Sequence, residues 1–122
     1  MDIKIKRVYE KPEAGDGYRV LVDKLWPRGI RKADLAYDYW AKELTPSTAA
    51  RKAFGHKVEN FDAFKERYLA ELNASDAAHA CAQQLEKDAA KAGGTITLLY
   101  AARDPKTNHA VILREWLEEQ MK

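Results

Sequence analysis

Four polar residues that could act on a ligand follow the mainly apolar run 96–102 near the C-terminus. Arg103, Asp104, Asn108 and His109 all fall within the next seven residues. The planar guanidinium of arginine binds phosphate or carboxylate through two parallel hydrogen bonds, and imidazole changes its charge near neutral pH. This combination of residue types predicts a site that recognises an anion and that could move a proton.

A second cluster of similar composition follows the apolar centre of residues 18–25. It contains Asp23, Trp26 and Arg28 within the stretch VDKLWPRGIRK, and each cluster has a proline that fixes the direction of the chain. Ligands of open parallel sheets bind beyond the carboxyl ends of the strands, where the helices begin. If the two strands are parallel neighbours, both clusters therefore face one crevice.

The charged members of the two clusters can each be given a role in this crevice. Arg28 and Arg103, together with the N-terminus of the helix that follows, would hold the anion. Asp104 or Asp23 could serve as a general base and His109 as a general acid. The candidate catalytic residues are thus the two aspartates and the histidine.

Trp26 and Asn108 complete the candidate ligand-binding residues. The indole of Trp26 could stack on a ring of the ligand, although an aromatic side chain near a strand end is more often part of the core. Asn108 could contact the ligand, although asparagine in this position is also typical of a turn or of a helix N-cap.

Purely structural roles are the alternative for the charged residues. Asp104 could cap the last helix, Arg103 could form an ion pair with Asp23, and His109 could hydrogen-bond locally in the first helical turn. In that case the two clusters would fix loops and bind no small molecule, and the protein would be a non-catalytic interaction module.

The bulk composition of the 122-residue chain fits a single α/β domain, residues 1–122. Hydrophobic residues make up 46% and charged residues 33%, which is the balance of a soluble folded protein. The longest apolar run is too short to cross a membrane, and residues 1–10 lack the apolar centre of a secretory signal. The single cysteine, Cys81, cannot form an internal disulfide, so we expect a cytoplasmic protein.

Several familiar catalytic sites are excluded by the sequence. No cysteine follows a strand, because Cys81 falls among alanines in a predicted helix, and there is no G-x-S-x-G elbow, P-loop or G-x-G-x-x-G. The three histidines lack the spacing of a metal site. We therefore predict no metal and no cofactor, and a magnesium ion held by Asp23 and Asp104 is left open as an alternative.

Alternating strand and helix patterns predict the scaffold that must position the clusters. Strands are expected at residues 3–9, 18–25, about 39–42 and 95–102. Helices are expected at 32–36, at 46–54 after a Thr45 cap, at 61–72, from a Ser75 cap towards Gly93, and at 107–121. This alternation predicts an α/β fold, a small three-layer domain with a short, mostly parallel sheet flanked by helices.

A third polar cluster lies in residues 51–68, where basic and aromatic side chains interleave. Residues 1–56 carry 12 basic and 8 acidic side chains, against 9 and 11 in residues 57–122. Such a pattern can bind single-stranded nucleic acid. The aromatic side chains recur at helical core spacing, however, so nucleic acid is the weaker alternative, and no membrane partner is expected.

Five stretches of the chain resemble, in their order, the YeaO-like family of bacterial and archaeal domains of unknown function. They are RVLVDKLWPRGIRK, YWAKELTPS, RKAFGH, FKERY and TLLYAARDPKTNHA. The resemblance extends from about residue 5 to residue 117 and implies a compact α/β domain. Lys24 stands where the family usually has arginine, which replaces a forked donor by a point charge. Nine positions match the family's motifs: Asp23, Trp26, Pro27, Arg28, Gly29, Arg103, Asp104, Asn108 and His109.

The sequence therefore leads to one expected function and two alternatives. We expect a site for a phosphorylated or nucleotide-like small molecule at the two strand ends, in a protein that either binds this anion or transforms it by acid–base chemistry. The alternatives are a nucleic-acid-binding regulator that uses the basic N-terminal half and the non-catalytic interaction module.

Overall fold

The computed structural model describes residues 1–122 and contains four strands and four α-helices. The strands are β1 (Asp2–Arg7), β2 (Tyr18–Leu21), β3 (Tyr39–Trp40) and β4 (Thr95–Tyr100). The α-helices are α1 (Thr48–Phe54), α2 (Phe61–Ala74), α3 (Asp76–Ala90) and α4 (His109–Gln120). Short 3-10 helices lie at Ala14–Asp16, Lys32–Asp34, Lys42–Leu44 and Val58–Asn60.

The four strands form one parallel sheet in the order β1-β4-β2-β3. The central strand β4 pairs on one side with β1 and on the other with β2, where Val20 lies opposite Leu98. Since β2 and β4 are parallel neighbours, their carboxyl ends meet at one edge of the sheet. This arrangement confirms the α/β prediction and the condition for a shared crevice.

Both faces of the sheet are covered. Because side chains alternate along a strand, Ile96 and Leu98 of β4 point to the main core, which all four α-helices share, whereas Leu99 points to the opposite face. There the loop between β2 and β3 contributes Leu35, Trp26 and other side chains to a second, smaller core. Full burial of each leucine or isoleucine stabilises the fold by roughly 1.5–3 kcal/mol.

A buried ion cluster joins three strands on the second face. The carboxylate of Asp16, whose side chain is 3% exposed, accepts hydrogen bonds from Arg19 of β2 and from Lys6 of β1. Its backbone carbonyl accepts the hydroxyl of Thr97 of β4 at 2.7 Å. Burial alone would raise the pKa of Asp16, but the backbone N–H of Glu13 and the two cations lower it overall.

The start of α1 differs from the prediction. The sequence predicts that Thr45 caps a helix that begins at Pro46, but Thr45 ends the preceding 3-10 helix, where its hydroxyl donates to the carbonyl of Lys42. Ser47 is the N-cap instead, because its hydroxyl accepts the N–H of Ala50 at 3.0 Å. No helix of the protein has both the length and the apolar character needed to cross a membrane.

Candidate functional site

The carboxyl ends of β2 and β4 open into a cavity of about 420 Å³. This volume lies in the range of small-molecule sites, roughly 300–1,000 Å³. The walls come from every layer of the protein: Tyr9 after β1, residues 23–28 after β2, Pro46, Arg51, Phe54 and His56 around α1, Phe64 of α2, Ala101 and Ala102 after β4, and Asn108 and His109 at the start of α4.

The structure brings together five of the seven residues that the sequence nominated for the site. Arg103 and Asp104 are exposed and lie outside the lining of the cavity, because the chain turns away after Ala102. The suggested ion pair between Arg103 and Asp23 does not form. The five nominated residues that line the cavity are Asp23, Trp26, Arg28, Asn108 and His109.

Asp104 organises the loop between β4 and α4. Its carboxylate accepts the backbone N–H groups of Lys106 at 2.8 Å and Thr107 at 3.2 Å, and also the hydroxyl of Thr107. The hydroxyl of Thr107, followed by the two backbone N–H groups, lowers the pKa of this carboxyl. Asp104 is therefore a stable anion held by its own loop, which makes it a weak proton acceptor.

Asn108, rather than Asp104, is the N-cap of α4. Its side-chain oxygen accepts the N–H of Val111 at 3.1 Å, and its side-chain amide donates to the carbonyl of Asp104 at 2.7 Å. The residue is only 1% exposed. Asn108 is thus the helix N-cap that the sequence offered as the alternative to a ligand contact, and it joins the loop to the helix beside the cavity.

Asp23 and His109 join the two strand ends to the start of α4. One carboxylate oxygen of Asp23 accepts the N–H of Ala101 at 3.0 Å. The Nε2 atom of His109 lies 2.8 Å from the carbonyl oxygen of Val22 and 3.1 Å from the other carboxylate oxygen of Asp23. Because a carbonyl can only accept, Nε2 carries the proton, and it is directed at Val22. The other ring nitrogen, Nδ1, takes part in neither of these contacts.

Three cationic side chains line the cavity without a carboxylate partner. Lys24 and Arg28 come from the loop after β2, and Arg51 comes from α1. None of the three takes part in an ion pair of the protein, and Asp23 is the only carboxylate in the lining. His56 and His109 add two imidazoles to the lining.

Lys24 and Arg51 were not among the nominated residues. The signal for Lys24 was its position inside the same motif as Asp23 and Arg28. Arg51 belongs to the basic and aromatic cluster 51–68, for which the sequence pattern indicates only a nucleic-acid role. Without knowledge of how α1 packs, this cluster could not be connected with the strand ends.

Trp26 is partly committed to the second core. Its indole N–H donates to the carbonyl of Ile30 at 2.6 Å, and its ring makes edge contacts with Tyr37 and Trp40 at 5.6 and 5.5 Å between centroids. These contacts fix the orientation of the ring. Trp26 therefore presents a rigid apolar wall to the cavity.

His56 also lines the cavity, and its backbone has an unusual conformation. Its φ of 57° makes it the only residue other than glycine with a positive φ, directly after Gly55 at the end of α1. Its ring lies 5.7 Å from the ring of Phe54. Backbone conformations of this kind are concentrated at functional sites, and this one places an imidazole at the cavity.

No metal site accompanies the cavity. No group of three or more histidine, cysteine, aspartate or glutamate side chains lies close enough to hold a metal ion. Asp104 lies outside the lining, so the cavity does not bring it together with Asp23 as the magnesium alternative requires.

Comparison with known proteins gives a family and several relatives. A family model described as "Inactive DUF488-N3 subclade" matches residues 2–122. The uncharacterised protein YeaO of Escherichia coli is 51% identical over 117 residues, which cover 96% of this chain and 97% of YeaO. The uncharacterised protein Rv3073c of Mycobacterium tuberculosis is 37% identical over 115 residues, 94% of this chain and 92% of that protein. No solved structure has significant similarity to the chain.

Proposed function

The chain belongs to the YeaO-like DUF488 family, in the subclade described as inactive DUF488-N3, and we propose that it binds a small anionic molecule in the cavity without transforming it. The ligand class that fits is a phosphorylated or nucleotide-like compound. The observation that carries the proposal is the set of three cations, Lys24, Arg28 and Arg51, that line one cavity without a carboxylate partner.

The charge balance of the lining supports an anionic occupant. Like charges that face one concave space repel one another, and the low-polarity walls around them concentrate the field. Asp23 offsets only part of this charge, because it is a single carboxylate among three cations; one of its oxygens accepts the N–H of Ala101 and the other lies beside His109. A bound anion would relieve the repulsion and supply the missing hydrogen-bond acceptors.

Binding is favoured over catalysis because the acid–base groups are already engaged. The carboxylate of Asp104 is held in its loop outside the cavity, and Asp23 and His109 tie the strand ends to α4. Each of the three therefore has a structural role that does not depend on a ligand. The description of the subclade as inactive is consistent with a site kept for recognition.

Isothermal titration calorimetry with phosphate, pyrophosphate and nucleoside monophosphates tests the proposal. We expect saturable binding by the wild type and loss of at least roughly tenfold in affinity in Arg28→Gln, because charge-assisted hydrogen bonds contribute about 1.5–3 kcal/mol. Arg103→Gln is the matched control, since it removes the same charge outside the cavity and should leave the affinity unchanged.

Two results would contradict the proposal. Equal effects of Arg28→Gln and Arg103→Gln would place the anion outside the cavity. Binding of a short oligonucleotide, with an affinity that falls steeply as salt increases, in the absence of any small-anion binding would support the nucleic-acid alternative.

A further inference from the structure

We infer that Lys24, Thr48 and Arg51 form a subsite at the rim of the cavity that binds the phosphate group of a phosphate monoester. The inference rests on the proposed function and specifies which group of the ligand is recognised and where. It depends on three side chains that converge from two different elements, the loop after β2 and helix α1.

The geometry places two cations on one hydroxyl group. The ammonium of Lys24 donates to the hydroxyl oxygen of Thr48 at 2.9 Å, and a terminal nitrogen of Arg51 lies 3.5 Å from the same oxygen. The two charged nitrogens can therefore be no further apart than the sum of these two distances. Thr48 and Arg51 are three residues apart on α1, so they lie on the same side of the helix.

The three side chains offer donors and no free acceptor. The hydroxyl oxygen of Thr48 accepts from Lys24 and Arg51, and this hydroxyl donates no hydrogen bond within the protein. The Nε–H of Arg51 is buried and lacks a partner, so the terminal nitrogens of its guanidinium are the donors that it can offer to a ligand. A phosphate group brings three acceptor oxygens on one tetrahedral centre, which matches a cluster that contains only donors.

The nearby carboxylate does not compensate the two cations. Glu71 accepts the backbone N–H of Ser47 at 2.9 Å and the hydroxyl of Ser47 at 2.6 Å, and it lies 3.7 Å from Arg67. It therefore forms no ion pair with Lys24 or Arg51. Two uncompensated positive charges favour a dianion over a monoanion, and a phosphate monoester carries roughly −1.5 to −2 charges at pH 7.

Phenyl phosphate and phenyl sulfate are suitable probes, because they have nearly the same shape and differ in charge. We expect calorimetry at pH 8 to show that the wild type binds phenyl phosphate at least roughly tenfold more tightly than phenyl sulfate. Thr48→Val and Arg51→Gln should remove most of this preference. Lys52→Gln is the matched control, because it removes an exposed charge next to Arg51 on the same helix, and it should retain the preference.

The outcomes separate this inference from the proposed function. Equal affinities of the wild type for the two probes, or equal effects of Arg51→Gln and Lys52→Gln, would overturn the phosphate subsite. If Arg28→Gln weakens the binding of phenyl phosphate and Arg51→Gln does not, the subsite is wrong and the anion-binding cavity stands. If neither probe nor pyrophosphate binds to the wild type, both proposals fail. Thermal denaturation of each variant establishes that it is folded.

Discussion

Replacing Asn108 with alanine should lower the free energy of unfolding by about 2 kcal/mol. The residue is 1% exposed and makes two side-chain hydrogen bonds, one to the N–H of Val111 and one to the carbonyl of Asp104. Loss of an N-cap costs about 1 kcal/mol, and loss of the second hydrogen bond costs about 1 kcal/mol. Asn108→Ser keeps an acceptor for the cap and loses only the second bond, so it should cost about 1 kcal/mol.

Urea denaturation of the wild type and the two variants measures these differences. In a domain of this length, a loss of 1 kcal/mol also lowers the melting temperature by roughly 4 °C. Equal stability of the alanine and serine variants would contradict the capping role of Asn108. A loss of anion binding in Asn108→Ser without a loss of stability would show that this residue contacts the ligand, as the sequence had also suggested.

The ion cluster and one tight turn of the fold give three further predictions. Asp16→Asn should lower the unfolding free energy in urea by about 3–5 kcal/mol, because Arg19 loses its buried partner; the same change in the exposed pair, Asp34→Asn, should cost under about 1 kcal/mol. Because the fold lowers the pKa of Asp16, its contribution is complete above the ordinary value of 3.8 and is lost as the pH falls through the lower folded value. Acid titration of stability should therefore be steeper below pH 3.8 in the wild type than in Asp16→Asn. Gly17→Ala should destabilise the protein by on the order of 3 kcal/mol in the same urea assay, since φ is 64° and the new Cβ would lie 2.8 Å from the Cβ of Thr95.

The sequence predicted the part of the site that depends on sheet geometry. The apolar runs before Asp23 and Arg103 are typical of buried parallel strands, and the carboxyl ends of such strands meet at one edge. This reasoning placed Asp23, Arg28 and His109 around one cavity. The prediction needed only the apolar runs that mark the two strands and the positions of the polar residues that follow them.

The contribution of α1 to the cavity could not be predicted, because it depends on helix packing. Arg51 reaches the cavity only because α1 packs beside the loop that follows β2, and no local pattern encodes that contact. The direction of the loop after β4 was also inaccessible from the sequence. The turn that Asp104 forms with Thr107 keeps its carboxylate out of the cavity, and this turn is decided by local hydrogen bonds that compete with a ligand-binding role.

A nuclear magnetic resonance titration of the ¹⁵N-labelled wild type with pyrophosphate tests the central claim most directly. We predict saturable shifts of the backbone amides of Lys24, Arg28, Arg51 and His109, because these residues surround the cationic cavity. The amide of Arg103, whose side chain carries the same charge outside the cavity, should remain unchanged. The absence of saturable shifts, or shifts confined to the loop around Arg103, would contradict an anion site between β2, β4 and α1.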